Sequence, residues 1–60
     1  MNTIKEGTRV KFEDGWDGNI YEGIYMRNPA TGILGVMYGD GEFIPEKDCV
    51  WIKPVENEEG

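Results

Sequence analysis

Twelve carboxylates, seven aromatic rings and a single thiol, Cys49, are the side chains here with chemistry to offer, and no histidine stands among them. Without histidine there is no base poised near neutral pH, and neither a Ser-His nor a Cys-His pair can be drawn. General acid–base work would fall to two carboxylates driven apart in pKa by burial, which needs a pocket that 60 residues hardly supply. No phosphate-cradling Gly-x-x-x-x-Gly-Lys loop and no metal-spaced ligand set occurs. The expectation is no catalysis, no cofactor and no metal. The rings have another use. Trp16 lies between Asp14-Gly15 and Asp17-Gly18, in a loop where burial is hard to arrange, so a ring that contacts a partner is one reading of it and a core ring the other.

Charge narrows the choice of partner. Six Lys and Arg against twelve Asp and Glu leave −6, and Glu56, Glu58 and Glu59 place half of it in the last seven positions. Phosphate backbones are held by clustered cations that release counterions, so tight nucleic-acid binding is disfavoured and a protein with a basic surface or a cationic peptide is favoured. The plainer reading of the same charge is solubility. One cysteine allows no internal disulfide, the first residues lack an apolar leader, and no run approaches a bilayer span; a cytoplasmic protein without membrane contact is expected.

The elements that must position these groups are short. Asp14-Gly15, Asp17-Gly18, Asn28-Pro29-Ala30-Thr31-Gly32 and Gly39-Asp40-Gly41 are turn signals that break any useful helix. Between them lie β-rich segments: Thr8–Phe12, Asn19–Arg27, Ile33–Tyr38, Glu42–Ile44 and Val50–Ile52, with Pro45–Asp48 fitting one 3₁₀-like turn before the last. Asn19–Arg27 is apolar on both faces, as a strand that bends between two sheets would be. Gly23 and Gly35 suggest close approach where the sheet curves. The fold class expected is all-β: one five-stranded barrel over residues 6–53, closed or nearly so because a small sheet needs its edges removed. A flexible N-terminus over 1–5 and an acidic disordered tail over 54–60 complete the domain reading.

Gly7-Thr8-Arg9-Val10, Tyr21-Glu22-Gly23, Val36-Met37-Tyr38-Gly39-Asp40-Gly41-Glu42 and Asp48-Cys49-Val50, taken together, resemble a Tudor domain within the SH3-like barrels. The resemblance implies five bent antiparallel strands and a cage of rings at one end, where members bind methylated Lys or Arg. By position, Phe12 or Trp16, Tyr21 and Tyr38 with Asp40 would form the cage, and Glu13, Asp14, Asp17 and Glu42 its acidic rim. Ring faces attract a desolvated cation for about 0.5–2 kcal/mol each. Glu42 departs from the pattern, since many members carry another aromatic there, and the first loop is enlarged around Trp16.

Each of these residues also has a plain structural reading: the rings as core, Asp40 as a hairpin former between two glycines, Glu13-Asp14 as a solvated face, Cys49 as a small buried residue. Three functions are carried forward. One is a non-enzymatic module gripping a basic protein or peptide through Phe12, Trp16, Asp17, Tyr21, Tyr38, Asp40 and Glu42. Another is an acidic inhibitor or antirepressor whose carboxylates imitate nucleic-acid phosphates. The last is weak nucleic-acid binding through Lys5, Arg9, Lys11 and Lys53, as in ribosomal or transcription-factor modules that the barrel resembles. A short chain starting at Met1 suggests a phage or mobile-element accessory protein, as monomer or weak dimer.

Overall fold

In the computed structural model, which describes residues 4–55, the chain forms β1 (Arg9–Asp14), β2 (Ile20–Arg27), β3 (Leu34–Tyr38), β4 (Glu42–Pro45), a 3₁₀ turn (Glu46–Asp48) and β5 (Cys49–Pro54). All pairings are antiparallel and the sheet order is β4-β3-β2-β1-β5. The all-β class, the five strands and the turn before the last are therefore as expected. Among the described residues no ladder joins β4 to β5.

Alternation along β1 explains the core. Val10 and Phe12 point inward and are fully buried, beside Tyr25 of β2, Val36 of β3 and Ile44 of β4. Ile52 of β5 packs on the same cluster, although β5 and β4 lie at opposite edges of the sheet. Only a sheet that curls can bring both edges to one core, and burial of these apolar faces is what drives the curl.

The curl is built into β2. Its first half, Ile20–Ile24, pairs with β1, and its second half, Gly23–Arg27, pairs with β3. Where the two ladders overlap stands Gly23. On β3, Gly35 lies under the ring of Phe43: a Cβ there would come within 2.7 Å of the ring's Cζ and 2.9 Å of the Pro45 Cα. Because backbone atoms are among the obstacles, Gly35→Ala is expected to cost about 1–3 kcal/mol, as overpacking does, read as a lower midpoint in urea unfolding. An unchanged midpoint would mean that β3 and β4 are not held this close. The second apolar face of β2 serves no second sheet. Ile24 stands opposite Met37, and Met37 opposite Phe43, as a half-exposed outer row.

Both sheet edges are blunted, a common defence against edge-to-edge pairing. β4 has four residues and ends in Pro45, while β5 ends in Pro54 and carries a register shift: Glu13 faces Trp51, but Asp14 faces Cys49. Val50 is thus the extra residue of a bulge.

Order reaches beyond 6–53 at both ends. Ile4 packs on the core, the Lys5 carbonyl accepts from the Thr8 N–H at 3.2 Å, and the Val55 N–H donates to the Arg9 carbonyl at 2.9 Å. Of the residues read from sequence as tail, Pro54 ends β5 and Val55 follows it, hydrogen-bonded to β1; residues 1–3 and 56–60 lie outside the described part. No helix among the described residues is long and apolar enough to cross a membrane.

Candidate functional site

The loop after β1 is tied down by its own polar groups. Asp14, 7% exposed, accepts the Trp16 N–H on Oδ1 at 2.7 Å, and its carbonyl accepts the Gly18 N–H at 2.9 Å. The Gly15 N–H donates to the Asp48 carbonyl at 3.0 Å, stitching the loop to the 3₁₀ turn. Asp17 accepts the Asn19 N–H on Oδ1 at 2.8 Å and the Tyr21 hydroxyl on Oδ2 at 2.7 Å. Aspartates that bond backbone N–H groups two residues on make such turns without help from the core.

These bonds set the charge states. The Asn19 N–H, and then the Tyr21 hydroxyl, hold the Asp17 carboxyl below its ordinary value, and in return Asp17 raises Tyr21. Tyr38 is raised first by desolvation and then by the nearby charges of Asp14 and Glu42. Tyr25 is raised first by burial and then by the hydroxyl's bond to Glu46 Oε1, 3.0 Å, which also pins the 3₁₀ turn. Cys49 is pushed up to about 11, chiefly by burial.

Two predictions follow from these shifts. A thiol at about 11 rather than the ordinary 9.0 has about a hundredth of the thiolate at neutral pH, so Cys49 should alkylate about a hundredfold more slowly than a free thiol. Labelling by iodoacetamide at the rate of cysteine in unfolded peptide would refute this. The same shifts make the unfolded chain lose its protons first. The stabilisation is full below about pH 9 and falls as pH climbs past 9 for Cys49 and 10 for Tyr21, Tyr25 and Tyr38. Urea midpoints should therefore drop on alkaline titration, and a Cys49→Ser variant should lose the part that begins near 9.

The candidate rings divide into two groups. Phe12, Tyr21 and Tyr38 are mutually packed: Phe12 and Tyr38 meet edge-on at 5.0 Å between centroids, Tyr21 and Tyr38 at 5.2 Å with a 34° tilt, and Phe12 and Tyr21 at 5.7 Å. At 5.2 Å no cation fits between the two tyrosines, so only their outward sides are available. Phe12 is fully buried and reaches no ligand; it is the floor on which the tyrosines rest. The alternation of β1 forces this, since Phe12 shares its inward face with Val10.

Trp16 stands apart, 84% exposed. It lines an open groove of about 440 Å³ with Gly15, Lys47, Asp48, Cys49 and Val50. Val50, at 61% exposed, is its apolar partner across that groove. Sequence reasoning missed Val50, because Val50-Trp51-Ile52 reads as an unbroken strand and only the ladder reveals the bulge. Glu42 lies opposite Tyr38 in register. Asp40 is exposed at the β3–β4 tip between Gly39 and Gly41, both at positive φ, where it shapes the turn.

Among the described residues, no three His, Cys, Asp or Glu side chains are grouped to hold a metal ion. Comparison with protein-family models, with curated proteins and with solved structures finds no match to this chain.

Proposed function

We propose that this chain is a non-enzymatic binding module, an SH3-like barrel of Tudor-like type, that grips a basic protein surface or cationic peptide. Trp16 is the anchor. The outward sides of Tyr21 and Tyr38 extend the contact, and Asp17, Glu42 and Asp48 supply opposite charge. The observation that carries this reading is an 84% exposed Trp on a loop locked by hydrogen bonds to Asp14 and Asp48. Indole left in water forgoes the roughly 25 cal/mol per Å² that burial returns, and a rigid loop spares a binding partner the entropy of ordering it. Trp and Tyr are also the residues that most often carry interface energy.

The inhibitor that imitates nucleic acid is the weaker reading. It needs one continuous acidic face with the rings inside, whereas Arg9 and Arg27 interrupt the acids through ion pairs with Glu22 at 3.5 Å and Glu6 at 3.7 Å.

Titration with a Lys/Arg-rich peptide, followed by Trp fluorescence, tests the proposal. Expected are a blue shift and an affinity that falls with added salt. No spectral change, or equal binding of a Glu-rich peptide of the same length, would defeat it.

A further inference from the structure

On the outer face of the sheet, β1 and β5 bring two cations together. Lys11 and Lys53 stand directly opposite each other in the β1–β5 ladder, both exposed. Like charges in that relation destabilise a sheet. Their surroundings among the described residues offer neither lysine an ion pair, although Glu22 stands across the ladder from Lys11 and the Trp51 ring lies under Lys53. Glu22, the other cross-strand neighbour of Lys11, gives its carboxylate to Arg9 Nε at 3.5 Å. Glu13 accepts the Trp51 indole N–H on Oε1 at 2.8 Å. Neither lysine is in an ion pair among the described residues.

An aromatic and apolar wall adjoins this pair. The Lys53 Nζ lies 5.1 Å from the centroid of the Trp51 ring, and Glu13 fixes that ring from the other end. Lys11, Trp51, Lys53, Pro54 and Val55 line one open groove of about 440 Å³. Two lysines lining one groove beside an indole and two apolar side chains match a ligand that joins an anion to a flat ring.

We infer that this groove is a second site, for a nucleotide unit: its phosphate between the Lys11 and Lys53 ammoniums, its base against Trp51 and Pro54. The site shares no residue with the Trp16 surface and stands or falls independently of it. A free nucleotide and one unit of a single strand offer the same chemistry. An acidic chain can hold either, because the local pair of lysines and the stacking supply the attraction without a broad basic field.

The test is an NMR titration of the full chain with inorganic phosphate, adenosine monophosphate and a short oligothymidylate, reading the Trp51 indole N–H and the Lys11 and Lys53 amides. Expected are shifts at Trp51 but not at Trp16, tighter binding of the monophosphate than of phosphate alone, and about threefold weaker oligonucleotide binding between 50 and 200 mM salt, the slope for a single phosphate. Oligonucleotide binding well above that of the monophosphate assigns a single strand as the source, and equal binding a free nucleotide. Lys11→Glu places an acid opposite Lys53. It should weaken binding about tenfold or more with little change in melting temperature, since the attraction gained with Lys53 is offset by a new repulsion with Glu22 across the β1–β2 ladder. No movement of the Trp51 indole with any probe, equal affinity for phosphate and monophosphate, or unchanged binding by Lys11→Glu would overturn the site.

Discussion

Replacing Phe12 with Ala is expected to leave this chain largely unfolded at room temperature. A fully buried Phe truncated to Ala costs about 3–5 kcal/mol, the lost transfer energy plus the cavity left behind. A 60-residue domain has about 3–9 kcal/mol of stability in all, so the loss takes most or all of it. The site offers little scope for collapse: Tyr21 and Tyr38 lean on the Phe12 ring at 5.7 and 5.0 Å, Tyr21 held at its hydroxyl by Asp17 and Tyr38 at its backbone by the β2–β3 ladder. Circular dichroism through a urea titration reads the outcome. A cooperative transition at the original midpoint would show that Phe12 is not the centre of the core. Phe12→Leu, which keeps most of the volume, should retain the fold at reduced midpoint and so separates cavity cost from any specific role of the ring.

Trp16→Ala should do the reverse. With 84% of the residue in water, truncation removes almost no packing, and the hydrogen bond to Asp14 comes from the backbone N–H, which Ala keeps. Stability should change by less than about 0.5 kcal/mol, the range for surface sites away from special features. Affinity for the basic peptide should fall about thirtyfold, corresponding to the roughly 2 kcal/mol that marks an interface hot spot. A fall in the melting temperature like that of Phe12→Ala would place the indole in the core. Retained affinity in a stable variant would move the binding surface elsewhere, with Val50 and the outer row of Ile24, Met37 and Phe43 the next surfaces to probe.

The opposite fates of these two rings were legible to different degrees. Alternation along Arg9–Asp14 places Phe12 and Val10 on one face, and period-two alternation is a local property of the chain. Turn residues at Asp14-Gly15, Asp17-Gly18 and Gly39-Asp40-Gly41 delimit the strands for an equally local reason: they accept or demand backbone angles that strands and helices do not. Five strands and the 3₁₀ turn followed from such signals, and so did the close approaches at Gly23 and Gly35, but not the one between Gly15 and the Asp48 carbonyl.

What those signals leave open is pairing between residues far apart in the chain. No local pattern tells that Asp14 faces Cys49 while Glu13 faces Trp51, so the bulge that turns Val50 outward beside Trp16 arises only when β5 docks on β1. Likewise, that Lys11 meets Lys53, or that Tyr21 and Tyr38 close on each other at 5.2 Å and shut the space between them, depends on register and on how tightly the sheet curls. Residue types and their period determined which faces are apolar and where the chain turns, because those are short-range preferences of the backbone and of side-chain solvation. Tertiary structure decided which rings are floor and which are surface, because long-range ladders and the shared core fix the curvature that brings those faces together.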